Sequence, residues 1–467
     1  MKNKIYNLIL VGSGLSSLMF ADSFLKKNNK IDIISFKKNK TKYNQVDNKH
    51  ILKILPPQMI GEEKQVQDYF SLNNILVDQN TKIFGSLEFG GLSNYWGLQI
   101  DKNILEDISH LSKITQKKII KSFEEIFTKQ KLIGSVNNSL KNQFSEDEYI
   151  DEEFKKEKNN LFSDQPILAF CKKKLKKKIN LNEINEKKDK LTPKNFFKKN
   201  LKDKKITFHN YFVENISDHK KGILLNCSNG RNKKAFITKK LVLGSGTLIT
   251  TKLLMEYLKL KKTIKIKHHP RLFSVYVSKK RWKNNMSFQP SHFHLKSKKN
   301  PSLFTADFRP GNKVIVDAII KFKKILIPFK FILNFIREYL IFSNIFLSPK
   351  YSNLYIKKEN NLFRVFSKKN NEKNLFKNIG NLIYTYLKNS NKILPLYLNY
   401  FPGYGADFHY FGTVPINEPG KMSVDESCRL KSNKKITIID GSIFNFKKNK
   451  YPLGIIMANS KRIGKEF

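Results

Sequence analysis

Near the C-terminal end of the chain, His409-Tyr410-Phe411-Gly412-Thr413 sets a lone histidine ahead of a Gly-Thr turn. A neutral imidazole accepts a proton near pH 7, so His409 is either a general base or a histidine satisfied inside the fold. At the other end, Gly12, Gly14 and Ser17 stand at G-x-G-x-x-S spacing. Glycines permit a turn there that a side chain would block. A helix starting at that turn would aim N–H groups and its positive end at an anion such as pyrophosphate. Ser17 takes the place of the usual third small residue and still allows close helix–strand packing. Alone, the turn fits either a dinucleotide site or a structural bend.

The elements that must position these residues lie on either side of them. Residues 5–11 read as a buried strand, and Leu15, Leu18, Met19 and Phe24 as the packing stripe of the following helix. In a second strand, KIDIISF, Ser35 occupies the place where an acid would hold an adenine ribose, while Asp32 points elsewhere by alternation. The segment EFGGLSNYWGLQID joins Gly90 and Gly91 to Ser93, Asn94, Trp96 and Gly97. It reads as backbone lying close to a ligand or as a surface loop around a half-buried Trp. A strand over 206–213, a hairpin and a return strand then enter Gly244-Ser245-Gly246 and a helix. Residues 436–439 form a last strand closed by Asp440, Gly441 and Ser442, and Pro452 opens a final helix with Ile455, Ile456 and Ile463 on its apolar face.

The remaining histidines are less informative. His268 and His269 precede Pro270, and His292 and His294 sit at strand spacing. No third ligand stands at a recognisable spacing, so structural roles and no metal site are expected. If their segment is a strand of a substrate domain, one of the latter pair lines the pocket.

At 467 residues the chain is long enough for two domains. Its 88 Lys+Arg against 39 Asp+Glu give a net charge of +49. Only eight of the 88 are Arg, and the Lys are spread along the whole chain. That pattern argues against nucleic-acid recognition, in which Arg carries most bidentate contacts. It suits solvated lysine faces, with attraction to an anionic membrane as the sharper reading. Cys171, Cys227 and Cys428 show no CxxC spacing, which fits reduced thiols in the cytoplasm. The basic, apolar N-terminus is broken by glycines and reads as a strand, not a targeting segment. No run of about 20 apolar residues exists to span a membrane. The most apolar stretch, 321–349, reads as one or two cationic amphipathic helices split at Pro328. They would either pack under a domain or lie on a membrane surface. The acidic run 142–160 reads as an exposed insertion.

The ordered set of Gly12 to Ser17, Gly90 to Gly97, Val213 to Gly246, His409-Tyr410-Phe411-Gly412-Thr413, Val424-Asp425 and Ile438-Ile439-Asp440-Gly441-Ser442 resembles the glucose–methanol–choline flavin oxidoreductases. Residues 101–190 and 270–400 carry no part of the likeness. The resemblance implies an α/β fold with a Rossmann-like FAD-binding domain interleaved with an α+β substrate domain on an antiparallel sheet. The FAD domain would take 1–100, 191–264 and 406–467, a mostly helical insertion or cap 101–190, and the substrate domain 265–405. Gly12, Gly14 and Ser17 would hold the FAD pyrophosphate, and Ser35 the ribose. Gly90, Gly91, Ser93 and Asn94 would run along the cofactor, the Val213 main chain would meet the adenine, and Gly246, Asp440 and Gly441 would complete the cradle.

The implied reaction is oxidation of an alcohol, with hydride passing to flavin and His409 taking the hydroxyl proton. The family's second His or Asn, one residue before the last helix's proline, is replaced by Tyr451. With an ordinary pKa of about 10, Tyr451 is assigned to orienting substrate. Sugars, lipid-linked sugars and aliphatic alcohols all fit as substrate, and the electron acceptor is left open. A flavin-binding protein without alcohol oxidation, and a basic peripheral membrane protein on the same fold, are the alternatives.

Overall fold

The computed structural model describes residues 4–36, 48–52, 55, 59, 61–101, 104–127, 133–136, 161–164, 167–170, 178–179, 186–281, 293–297, 303–322, 324–368, 373–389, 391, 393–447 and 451–467. Cys171, His292 and the acidic run 142–160 lie outside them. Strand β1 (Ile5–Val11) leads through the glycine turn into helix α1 (Leu15–Phe24), and β2 (Ile31–Ile34) follows. After a long excursion come β3 (Ile206–His209), β4 (Phe212–His219), β5 (Gly222–Ser228), β6 (Lys233–Leu243) and helix α2 (Thr247–Tyr257). β1 lies between β6 and β2, parallel to both, and β3 continues the parallel set beyond β2. Covered on both faces, β1 and β2 are apolar almost throughout. β4, β5 and the first half of β6 form an antiparallel meander. The second half of β6 leaves it to join β1, so this one strand carries the return to the sheet. The strand expected over 206–213 is broken at Asn210 and Tyr211 into β3 and β4.

The second sheet is antiparallel. It contains β7 (Arg271–Ser278), β8 (Phe293–Ser297), β9 (Phe304–Pro310), β10 (Leu340–Leu347) and β11 (Ile393–Tyr400). Between β9 and β10 lie helix α3 (Lys313–Phe322), a 3-10 turn (Lys324–Phe329) and helix α4 (Lys330–Ile336). Helix α5 (Lys373–Asn389) precedes β11. The strand order is β11-β7-β10-β9-β8, and Leu161–Asp164 pairs outside β8. Alternation divides the faces. Ile341, Ile345 and Leu347 pack with Phe376, Ile379 and Ile383 of α5. The opposite face carries Leu340, Phe342, Asn344 and Phe346, apolar at one end and facing the site at the other.

One sequence expectation changes. The helical reading of 321–349 holds only to Tyr339, because 340–347 is the buried strand β10. A short run that is apolar on both faces has no period to separate strand from helix. Within 101–190, helices Leu105–Ile108 and Lys113–Phe127 are joined by the strands Ile133–Val136, Leu161–Asp164, Ile167–Ala169 and Lys178–Ile179, so the described part carries strand as well as helix.

The chain returns through β12 (Asn433–Ile438), parallel to β6, and helix α6 (Leu453–Glu466). α6 lies against α1 at close range. A Cβ on Gly464 would stand 2.4 Å from the Phe20 carbonyl oxygen, so only glycine permits this approach. Before β12, main-chain bonds tie Phe411 to Lys267, Val414 to Ser442 and Ile416 to Ile443. Cys227 and Cys428 are buried. No helix among the described residues is long and apolar enough to cross a membrane.

Candidate active site

Three helices begin at one cavity of about 360 Å³. They are α1 after Gly14, α2 after Gly246 and α6 after Pro452, and none has a capping side chain on its own N-cap residue. Polar N-caps ordinarily quench helix N-termini. Three helix starts facing one space, with Ser93 and Asp440 taking only the Leu15 and Gly246 N–H groups, make it attractive to a polyanion such as a diphosphate. Gly12, at φ +108°, is packed so tightly that a Cβ would lie 2.3 Å from the Gly244 oxygen. Gly246, at φ +85°, is the converse: its Cβ would meet nothing within 4 Å and would project into the cavity. Ser35, directly after β2, donates to Ser13 Oγ at 2.7 Å, and Ser13 Oγ accepts the Gly90 N–H at 3.0 Å. Val213 and Gly441 also line the cavity.

The Gly90 loop forms the adjoining wall. Gly90 adopts φ +99°, where a Cβ would strike the Pro193 ring at 2.5 Å. Ser93 Oγ donates to the Gly90 carbonyl at 2.6 Å and accepts the Leu15 N–H at 3.1 Å, which bolts the loop to the start of α1. Asp440 does the same for α2. Its Oδ2 accepts from Gly246 N–H and Thr250 Oγ1, and its Oδ1 from Ser442 N–H and Oγ. Burial raises the Asp440 carboxyl above its ordinary value, with these bonds opposing the rise.

His409 lies at the far end. Its ring stacks on Phe346 at 5.3 Å and meets His269 edge-on at 5.3 Å. Behind it, Asp407 is fully engaged. Oδ1 lies 2.7 Å from His268 Nδ1, and Oδ2 accepts the main-chain N–H of His269 at 3.0 Å and of His409 at 3.2 Å. Burial alone would raise the Asp407 carboxyl, but His268, then His409 and His269, hold it down at about 2. His269, Asp407 and His409 thus bring ligand-type atoms within 4.8 Å of one another, a negative charge set between imidazoles. Phe408 holds φ +67°, a left-handed conformation costing a non-glycine residue roughly 1 kcal/mol. Its ring stacks on Phe84 at 5.0 Å, which helps to keep it there.

Opposite stands Tyr451, only 5% exposed. Its hydroxyl donates to Asp307 Oδ1 at 2.5 Å and lies 2.9 Å from His294 Nε2. Burial, then Asp307, pushes the phenol well above its ordinary value, so it does not ionise in the physiological range. Arg309 reaches Asp307 Oδ2 at 3.4 Å. Arg271, 8% exposed, rests its guanidinium 4.2 Å over the Phe273 ring and also lines the cavity. Burial lowers it to about 10. Asp407, Asp307, Arg271 and Arg309 have no local motif. Sheet register brings three of them here, since Asp307 pairs with Asn344 on β10 and Arg271 pairs with Phe346.

The cavity therefore gathers Gly12, Gly14, Ser35, Gly90, Gly91, Ser93, Val213, Gly246, His409, Asp440, Gly441 and Tyr451. Two expected residues stand behind its wall. Ser17 is buried and donates to the Gly244 carbonyl at 3.1 Å, closing helix onto strand. The Asn94 amide donates to the Phe89 carbonyl at 2.9 Å and shapes the loop. Of the histidine pair, His294 reaches the site through Tyr451.

No family model matches the chain, and no curated protein matches it. Solved structures do. The crystal structure of pyridoxine 4-oxidase from Mesorbium loti aligns with a TM-score of 0.62 at 10% identity, covering 99% of this chain and 99% of that one. The likeness is one of fold, and it extends over the whole chain: a Rossmann-like sheet interleaved with an α+β domain on an antiparallel sheet.

Proposed function

We propose that this chain is an FAD-dependent oxidoreductase that oxidises an alcohol. The observation that carries the reading is one cavity whose lining brings together the starts of α1, α2 and α6 with His409 and Tyr451. The phosphates would lie against Gly12, Gly14 and Gly246, the ribose by Ser35 and the adenine by the Val213 main chain. Bound flavin would supply the acceptor for the substrate's hydride.

The chain's own residues would handle the proton. One imidazole nitrogen of His409 takes the hydroxyl proton as the carbonyl forms, and the Asp407 carboxylate behind the ring favours the charged imidazolium. Phe346 fixes the ring's tilt. Tyr451, held by Asp307 and His294, orients the substrate oxygen and stays protonated. The two electrons leave later to oxygen or to a carrier.

The test is direct. The purified protein should be yellow and release flavin on denaturation, and an alcohol substrate should bleach it anaerobically. Colourless protein after reconstitution with FAD would sink the reading. Yellow protein inert to a broad alcohol panel would leave a flavin-binding protein without this activity.

A further inference from the structure

The site's outer edge carries an apolar surface that the oxidation chemistry does not use. In the 3-10 turn and α4, Leu326, Leu333 and Ile336 pack against the cluster of Val316, Ile320, Leu340 and Phe342, as Val275 and Val277 of β7 also do. The opposite side is not polar. Ile325 is 80% exposed, Phe331 82% and Phe335 78%, with Ile327, Phe329 and Ile332 at half or more. A helix apolar on both sides is out of place in water. The edge strand β11 extends the patch. Leu398 pairs with Val275 and so shares its face, and by alternation Leu396 and Leu394 do too, at 60% and 37% exposure.

This platform borders the cavity. On β10, Asn344 and Phe346 line the cavity while Phe342, two residues back on the same face, lies under the platform. Same-face neighbours on a strand are about 7 Å apart.

Charge identifies the occupant. Lys279, Lys280, Lys313 and Lys330 are exposed around the platform. The nearby acids Asp317 and Glu338 are already paired, with Lys330 at 3.3 Å and Arg281 at 2.5 Å. A second copy would bring another +49 charge to the same patch, and Pro395 on β11 interrupts strand-to-strand pairing. An anionic bilayer offers the opposite charge and an apolar interior at the depth these side chains reach.

We propose that the Lys324–Ile336 segment and the outer face of β11 dock the protein on an anionic lipid surface, at the rim of the cavity. The cavity then opens beside the headgroup layer, where an alcohol with an apolar tail would be presented.

Flavin-loaded protein should co-sediment with vesicles of phosphatidylcholine plus phosphatidylglycerol at low salt, and weakly with phosphatidylcholine alone. The variant Phe331→Glu/Phe335→Glu should lose about tenfold or more in partitioning, with melting temperature and flavin content unchanged because both rings are solvent-exposed. Leu396→Glu should weaken binding independently. Ile114→Glu, at a site 69% exposed on Lys113–Phe127, should not. The proposal fails if wild type ignores anionic vesicles, if Ile114→Glu loses as much as the double variant, or if wild type is a dimer that the double variant dissociates without any lipid effect. Vesicle binding is read without turnover, so its failure would leave the oxidation reading standing.

Discussion

The Tyr451 hydroxyl donates to Asp307 Oδ1 at 2.5 Å, across a gap between residues 144 apart in sequence. The segment leading into α6 is thereby joined to β9 of the antiparallel sheet at the cavity wall. His294 Nε2, 2.9 Å from the same hydroxyl, completes the junction. A tyrosine held this way offers a fixed dipole and no titratable proton.

Tyr451→Phe should therefore leave one buried Asp307 oxygen short of a donor, costing about 1–3 kcal/mol of stability. If Tyr451 orients substrate, KM rises more than the rate of flavin reduction at saturation falls, as stopped-flow traces would read. The wild-type pH profile should show no Tyr451 limb up to pH 10, because the phenol is raised well above that value. An alkaline limb that vanishes in Tyr451→Phe would contradict this.

His409→Ala should keep flavin and fold, since the ring covers only part of the cavity wall. Substrate-dependent flavin reduction should slow about 10² to 10⁴-fold, the usual worth of a positioned base. His409→Gln, which keeps much of the shape, should be slow as well. Unchanged reduction kinetics in either variant would remove His409 from the mechanism.

Asp407 gives a pH signature for stability. Its folded carboxyl is held at about 2, below the ordinary 3.8, so it stabilises the fold above about pH 4 and the contribution is lost as pH falls toward 2. A depression of that size corresponds to about 2 kcal/mol. Asp407→Asn should be destabilised at pH 7, and its gap to wild type in chemical denaturation should narrow as pH drops from about 5 toward 2. A gap independent of pH would show that the cost lies in packing and not in the charge beside the histidines.

The glycine-lined side of the cavity was legible in the sequence because glycine patterns and strand–helix switches are local. Gly12, Gly90 and Gly246 each hold a left-handed φ that a local turn requires, and the meander is visible from its turns. The wall opposite is built by register. Asp307, Arg271 and Asn344 reach the cavity because three strands align them on one sheet face, a pairing no local pattern encodes. Asp407 stands two residues before His409, yet its role comes from His268, 139 residues away in sequence. Ser17 and Asn94 stand behind the cavity wall. They sit within a recognisable motif, but their side chains serve the turn and the loop that shape the cavity.

The glycines of the first turn separate packing from ligand binding. Gly12→Ala would drive a methyl to within 2.3 Å of the Gly244 carbonyl at φ +108°, and no rotamer relieves a backbone clash. It should cost about 3 kcal/mol or more, combining overpacking with strain, and lower the yield of folded protein. Gly14→Ala differs. Its Cβ would lie 3.5 Å from Ser93 Oγ, ordinary contact, and its φ of −66° suits alanine. Gly14→Ala should fold with a melting temperature near wild type yet bind FAD more weakly, because the methyl enters the space before α1. Titration of both apoproteins with FAD, alongside thermal melts, checks the pair. Equal losses of stability in the two variants would mean that the turn is not divided in this way.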